Sequence, residues 1–148
     1  MFTRYSYFNK HNVTYTLDWK YLTYLIDKND FRNYNDIKNI KLDKTSIYSL
    51  TPHHLSYQII DIFKLYLEDL TLFIITDACA CIGGDSISFI KNFKYVNAIE
   101  LDKIRYNFLS HNLRLYKDYK NYSICNNDCL KVIENTTQDI IYFDLPWD

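Results

Sequence analysis

The fold of this protein is decided by residues 72–84, which read LFIITDACACIGG. The apolar run at 72–76 is short enough to be a strand buried in a parallel sheet. Small residues and Gly83-Gly84 follow it directly, and they permit a tight turn whose backbone can approach a ligand closely. A helix carrying Ile87 and Ile90 comes next. The segment therefore predicts a strand, a ligand-binding turn and a helix.

The alternation of strands and helices continues through the rest of the sequence. Further strands are predicted at residues 95–99, 122–125 and 139–143. A helix is predicted at 102–116, with Ile104, Phe108 and Leu115 on one side. Strands alternating with helices predict an α/β fold with a mostly parallel sheet, right-handed crossovers and helices on both faces.

The residues before this alternation form a different region. Residues 1–44 are polar and rich in Asn and Tyr, with one helix-like stretch from Thr16 to Ile26 in which Leu17, Tyr21 and Leu25 share a face. Thr51-Pro52 predicts the start of a second helix, because Thr caps free N–H groups and Pro tolerates the first helical position. Its predicted buried side carries Leu55, Ile59, Ile62, Phe63 and Tyr66. We divide the chain into an N-terminal helical and polar extension (1–44) and a ligand-binding domain (45–148).

Composition excludes several classes of protein. A net charge of -1 argues against a strongly basic nucleic-acid coat. The spacing of Cys79, Cys81, Cys125 and Cys129 suits neither a zinc site nor a secreted disulfide framework, so we interpret them as reduced, small core residues and predict no metal. The sequence shows neither an apolar signal segment nor a run long enough to span a bilayer. An intracellular, soluble protein without membrane contacts is predicted.

An acidic residue stands at or just after the end of each predicted strand, namely Asp77, Glu100, Asp128 and Asp144. Ligands of parallel sheets bind at these strand ends. The turn is not the GxGxxG fingerprint, which argues against a dinucleotide. Glu100 stands near the distance from Gly84 at which an acid reaches ribose hydroxyls, Asp128 could accept from an adenine amine, and Asp77 could face the ammonium end of a methionine moiety. The alternative is that these acids only cap helices or are hydrated at strand ends; their order favours a cofactor site.

The sequence Asp144-Leu145-Pro146-Trp147 follows the fourth strand directly. Methylation of an exocyclic amine needs two acceptors for its hydrogens, and the Asp144 carboxylate and the Leu145 carbonyl could supply them. Trp147 could stack on the base, with cation–π attraction to an N7-methylated purine. Such positioning lowers a barrier without a protein nucleophile. The alternative for Trp147 is a hydrophobic plug.

Several motifs of the chain occur together, in order, in one family. They are a leader at Ile40-Lys41-Leu42-Asp43; Tyr48-Ser49-Leu50-Thr51-Pro52; Asp77 through Asp85, against Asp-Ala-Phe-Cys-Gly-Val-Gly-Gly-Asn; Ala98-Ile99-Glu100-Leu101-Asp102, against Ala-Ile-Asp-Ile-Asp; His111 through Tyr116; and Asn127-Asp128. On these motifs, residues 38–148 resemble the RNA cap guanine-N2 methyltransferases, the trimethylguanosine synthases.

The resemblance implies a Rossmann-like class I methyltransferase fold. It also implies methyl transfer from S-adenosyl-L-methionine to the 2-amino group of a 7-methylguanosine cap, with capped RNA as the partner. The positions that would hold the cofactor are Thr51, Asp77, Gly83, Glu100 and Asp128, together with Ala78 and Gly84 of the small-residue turn. Asp144, Pro146 and Trp147 would hold the guanine.

Four departures from the family pattern matter most for the predicted site. The family has Gly where Ala80 stands, and Trp where Ile47 stands. Its Pro-Pro-Trp-Gly-Gly is Leu145-Pro146-Trp147-Asp148 here, and Leu145 lacks the fixed φ that would help to aim its carbonyl. The family also has three further strands beyond this point, so we expect a domain that lacks its last strands, with the fourth strand as an apolar edge to be covered by a missing segment or a partner subunit.

Two other functions fit the same residues. One is a different nucleic-acid amino-methyltransferase, acting on adenine N6 or guanine N2 of ribosomal RNA or DNA. The other is a truncated, non-catalytic paralogue that binds cofactor, cap or a partner subunit.

Overall fold

The structure, a computed structural model, describes residues 4–8, 14–31 and 36–145, with side chains from residue 20 onward. Two strands near the N-terminus, β1 (Arg4–Phe8) and β2 (Thr14–Asp18), pair antiparallel. Helix α1 (Trp19–Leu25) follows. The helix predicted from Thr16 is therefore wrong in its first turn, because that segment alternates β-branched and aromatic residues that favour strand pairing. Leu17 lies in β2, and its side chain is outside the described part.

Two helices precede the main sheet. Helix α2 (Lys44–Ser49) begins with a reciprocal cap, in which Ser46 N donates to Asp43 Oδ1 at 2.7 Å and Asp43 N donates to Ser46 Oγ at 2.8 Å. Helix α3 (His53–Tyr66) has Pro52 at its N-cap position and no side-chain cap. The predicted capping role of Thr51 is thus wrong.

The buried face of α3 also differs from the predicted one. Ser56 and Ile60 are its fully buried residues, whereas Leu55, Ile62 and Tyr66 are exposed. Only Ile59 and Phe63 of the predicted face pack partly against the core. The helix is rotated because the small, polar Ser56 forms a buried hydrogen bond with the neighbouring helix, a contact that the apolar pattern does not encode.

Four parallel strands form the main sheet, in the order β5-β4-β3-β6. They are β3 (Ile74–Asp77), β4 (Tyr95–Ile99), β5 (Tyr122–Cys125) and β6 (Ile140–Tyr142). The predicted parallel α/β fold is confirmed, and β4 and β5 have the predicted bounds. β3 begins later than predicted because Leu70–Leu72 forms a 3-10 helix, which Asp69 caps.

The connections place helices on both faces of the sheet. Helices α4 (Gly84–Asn92) and α5 (Lys103–Leu115) join β3 to β4 and β4 to β5, and right-handed crossovers put them on the same face. The crossover from β5 to β6 contains α6 (Cys129–Val132) and passes over the other face. Asn97 of β4 donates there to Thr137 O at 3.1 Å. The strand order reverses between β3 and β6, where a doubly wound sheet opens a crevice.

The buried face of α5 is centred differently from the prediction. Leu109 and Leu113 are fully buried, whereas Ile104, Phe108 and Leu115 are only half-buried. Asn112, on the same face, is buried as well. A polar residue at that position shifts the apparent apolar stripe in the sequence by about one residue.

One hydrophobic cluster joins the N-terminal part to the sheet domain. It contains Leu22, Leu25, Ile26, Ile37, Ile40 and Leu42 together with Ile75, Phe89, Ile90, Val96, Leu109 and Leu113. Side chains on both sides of residue 44 therefore share one core, while the boundary at 44/45 stays a prediction. Among the described residues, no helix is both long and apolar enough to cross a membrane.

Candidate functional site

A cavity of about 1100 Å³ opens at the C-terminal ends of the four parallel strands. It exceeds the usual size of a pocket for one small ligand, so it has room for a cofactor and part of a second molecule. Seven residues singled out from the sequence line it: Thr51, Asp77, Ala78, Gly84, Glu100, Asp128 and Asp144. Gly83 is not among its lining residues. Pro146 and Trp147 lie outside the described residues.

The turn after β3 forms the floor of the cavity. Cys81 has a φ of 49°, and Gly83 has a φ of 101°. Ala80 was compared with a glycine of the family in the sequence analysis, and this alignment is wrong. Counted from Asp77, the family motif has its Gly at the position of Cys81, where the backbone takes the left-handed conformation that favours glycine. Gly83 is required by the turn rather than by the ligand, because a Cβ at this position would lie 3.0 Å from Cδ1 of Leu109.

Glu100 stands where β4 ends and is 7% exposed. Its Oε2 accepts from Cys81 N at 2.8 Å, and its Oε1 accepts from Asp102 N at 2.7 Å. Burial raises the pKa of this carboxyl despite the two backbone donors. Each oxygen has a second lone pair, so Glu100 can cap the backbone and still accept from two vicinal hydroxyls.

Asp77 is the most deeply buried acid of the site, with 2% of its surface exposed. Its Oδ2 accepts from Ser86 Oγ at 2.5 Å. Burial raises the pKa of the Asp77 carboxyl to about 7, and the nearby Asp85 charge adds to the rise. A cation beside it would offset this cost of ionisation.

Another part of the cavity lining contains residues that the sequence analysis did not single out. Asp128 caps α6 through a bond from Leu130 N at 3.1 Å, as the helix-capping alternative predicts. Leu101 and Leu130 line the cavity while 70% and 73% exposed. Two exposed leucines beside an acid suit a flat ring with a polar edge. A spacing rule could have found them, since each is adjacent or close to a predicted acid.

The fourth strand brings Asp144 and Leu145 to the cavity next to a carboxylate that the sequence analysis overlooked. Burial raises the pKa of the Asp144 carboxyl, and the charge of Asp85 raises it further. Asp85 is 8% exposed and lines the cavity. It accepts from Thr51 Oγ1 at 2.9 Å and from Ser56 Oγ at 2.7 Å. An acid in the first turn of a helix is favourable by itself, so nothing in the pattern distinguished Asp85.

Of the four cysteines that were predicted to be core residues, Cys81 packs partly against the hydrophobic core. All four are free and half-buried, and Cys79, Cys81 and Cys129 line the cavity. Burial raises the pKa of the Cys79 and Cys81 thiols to about 12. These two thiols therefore stay protonated at neutral pH. No group of three or more metal-ligating side chains occurs in the part of the chain that the structure describes.

Comparison with known proteins links these residues to one family. The family described as "RNA cap guanine-N2 methyltransferase" matches residues 72–147, which include β3 through β6 and the turn after β3. "Uncharacterized protein L320" of Acanthamoeba polyphaga mimivirus is 44% identical over 77 residues, covering 50% of this chain. The matched part spans about 30% of that relative's length.

Solved structures share the fold at lower identity. A structure of wild-type Trm5b from Pyrococcus abyssi superposes with a TM-score of 0.52 and 22% identity, covering 66% of this chain and 27% of that one. A conserved hypothetical protein of Streptococcus pyogenes superposes with a TM-score of 0.50 and 17% identity, covering 59% and 56%. These likenesses concern the fold alone. Together with the strand order, they agree with the predicted Rossmann-like class I methyltransferase fold.

Proposed function

The chain belongs to the RNA cap guanine-N2 methyltransferase family, and from that premise we propose that it forms the cofactor and base sites of an enzyme that methylates N2 of a 7-methylguanosine RNA cap. The observation that carries the proposal is the convergence of Thr51, Asp77, Glu100, Asp128 and Asp144 on one cavity. These positions are spread over nearly 100 residues of sequence. Their meeting at the strand ends suits a nucleoside-like ligand.

The cofactor end of the cavity fits S-adenosyl-L-methionine. Glu100 offers acceptors for two ribose hydroxyls, Leu101 and Leu130 offer apolar contact to a flat ring, and Asp128 an acceptor for its amine. Asp77 would face the cationic end of the methionine moiety. When bound, the cofactor supplies a methyl group on a sulfonium, which is ready for direct transfer.

The other end of the cavity would orient the amine that receives the methyl group. The Asp144 carboxylate and the Leu145 carbonyl would accept the two hydrogens of the guanine amine, leaving its lone pair directed at the methyl group. Ionised Asp144 would also be placed to take the proton that the amine must lose. Pro146 and Trp147 would form a wall against the base in this proposal.

A methyl-transfer assay tests the reaction. Purified protein is expected to transfer labelled methyl from S-adenosyl-L-methionine to a 7-methylguanosine cap analogue but not to the unmethylated analogue, because only the former carries the cationic purine. Transfer to adenine in an RNA oligonucleotide would contradict the cap assignment. Cofactor binding with no transfer to any of the three acceptors would favour a non-catalytic role.

Calorimetric titration tests the cofactor end separately. Glu100→Ala removes a charged acceptor from two hydroxyls, so we expect the Kd for S-adenosyl-L-methionine to rise at least ~10-fold. The matched control is Asp69→Ala, which also removes a backbone cap, but at an exposed 3-10 helix. Unchanged affinity in a folded Glu100→Ala protein would show that Glu100 only caps the backbone.

A further inference from the structure

We propose that Asp85 is a positioning residue of the methyl-transfer site, held in place by Thr51 and Ser56 so that its charge acts on the Asp144 carboxyl. This inference rests on the proposed function, since it assigns a role to Asp85 in that reaction. Asp85 lies in the first turn of α4, directly after Gly84.

Three parts of the chain converge on the Asp85 carboxylate. Oδ1 accepts from Ser56 Oγ of α3 at 2.7 Å, and Oδ2 accepts from Thr51 Oγ1 at 2.9 Å. The Tyr142 hydroxyl of β6 lies 3.4 Å from Oδ2. Because the donors come from different elements, the carboxylate has little freedom to rotate. Asp85 therefore presents its charge to the cavity from a fixed position.

The charge of Asp85 distinguishes it from the amide in the family pattern. The Asp-Ala-Phe-Cys-Gly-Val-Gly-Gly-Asn motif has Asn where Asp85 stands. A carboxylate accepts from both hydroxyls, whereas an Asn would accept from one and donate its NH2 group to the other. Both residue types can therefore bind Thr51 and Ser56, but only the acid brings one more negative charge to the acceptor end of the cavity.

The groups that face Asp144 are mostly acidic. Asp85 of α4 lines the same cavity as Asp144, and the charge of Asp144 in turn raises the pKa of Asp77 in β3 and of Tyr142 in β6. Burial raises the pKa of Asp144, and the negative charge of Asp85 raises it further. A carboxylate that must accept the hydrogens of an amine, and then its proton, works only when ionised. Asp85 would therefore control the pH at which Asp144 becomes competent and would strengthen Asp144 as a base.

Titration of the Asp144 carboxyl by carbon-13 NMR tests the inference without any assay of activity. The resonance is assigned through its loss in Asp144→Asn. In Asp85→Asn we expect the midpoint to fall by on the order of one pH unit. The control Asp61→Asn removes the same charge from an exposed position on α3 and should leave the midpoint unchanged. Equal midpoints in Asp85→Asn and wild type would overturn the proposal.

If Asp85→Asn does not fold, the titration of the Asp144 resonance in the wild-type protein tests the inference. Because burial and the charge of Asp85 both raise the pKa of Asp144, its resonance should titrate with a midpoint above the ordinary range of Asp. A midpoint at an ordinary value would overturn the coupling.

The pH profile of methyl transfer connects the coupling to the reaction. The acid limb of kcat/KM should move to lower pH in Asp85→Asn, by the amount seen in the titration, and stay in place in Asp61→Asn. An unmoved limb would overturn the role of Asp85 in catalysis. A shifted titration with no methyl transfer to any acceptor would instead overturn the proposed function, and with it this catalytic role.

Discussion

At the scale of single residues, the cost of burying acids in the cavity is greatest at Asp77. The pKa of this carboxyl is about 7 in the fold because of burial, against an ordinary value near 4 in an unfolded chain. The folded state thus holds its proton more tightly than the unfolded state. Stability must then fall as the pH rises from about 4 to about 7. The sign is opposite to that of an acid stabilised by a salt bridge.

Asp77→Asn should remove this loss of stability. The variant is expected to resemble wild type at pH 4 and to gain on it as the pH rises, by up to about 1.4 kcal/mol per unit of pKa difference. Urea unfolding at pH 4, 5, 6, 7 and 8 measures the difference, with Asp61→Asn as the exposed control. Stability curves that run parallel for wild type and Asp77→Asn would show that the pKa of Asp77 is not raised in the fold. The same variant should bind S-adenosyl-L-methionine more weakly.

At the scale of elements, the close approach of α4 to the segment before α3 depends on Gly84 having no side chain. A Cβ added at Gly84 would lie 2.4 Å from Cδ1 of Leu50 and 3.6 Å from the carbonyl oxygen of Thr51. Leu50 is buried where it borders the cavity. The close contact brings Thr51 within reach of Asp85.

Gly84→Ala should therefore be destabilising even though Ala favours helices. We expect a loss of ~1–3 kcal/mol from overpacking. Leu50→Ala alone should cost ~2–5 kcal/mol. In the double variant the clash is relieved, so its loss of stability should be smaller than the sum of the losses in the two single variants. Unfolding free energies of the four proteins measure this coupling. Strict additivity would mean that the backbone absorbs the extra methyl group without contacting Leu50.

The same elements show what the sequence could and could not predict. The strand β4 and the order of strands and helices follow from apolar runs and their spacing, which are local properties. The faces of α3 and α5 do not, because Ser56 and Asn112 are buried through hydrogen bonds to distant residues. Asp85 was missed for a related reason. Its position suits a solvated helix start equally well, and only the packing of α3 turns it inward.

At the scale of the whole molecule, one buried amide joins three parts of the chain. Asn112 of α5 accepts from Lys41 N at 2.8 Å and donates to Lys41 O and Ile82 O, both at 3.0 Å. It is 1% exposed. The segment before α2, the turn on the cavity floor and α5 therefore depend on one side chain.

Asn112→Ala should destabilise the whole fold rather than one helix. Lys41 N–H and two carbonyls would lose their buried partner, so we expect a loss of ~2–4 kcal/mol in a single cooperative transition. Urea unfolding followed by circular dichroism and by tyrosine fluorescence measures the loss and its cooperativity. Asn107→Ala, exposed on the same helix, is the control and should change little. Two separate transitions would show that the parts joined by Asn112 unfold independently.

The reversal of strand order between β3 and β6 has a consequence for the newly made chain. Asp139 accepts from Ile74 N although 65 positions separate them, and Ile75 pairs with Ile140. A ribosome that has just made β3 needs about 3 to 13 seconds to add that many residues. Throughout this interval the central strand lacks its neighbour on one side and exposes a backbone edge that any other strand could join. The edge of β3 that borders the crevice, and that β6 covers in the finished protein, is therefore at first a site where a chaperone, or an incorrect strand, can bind.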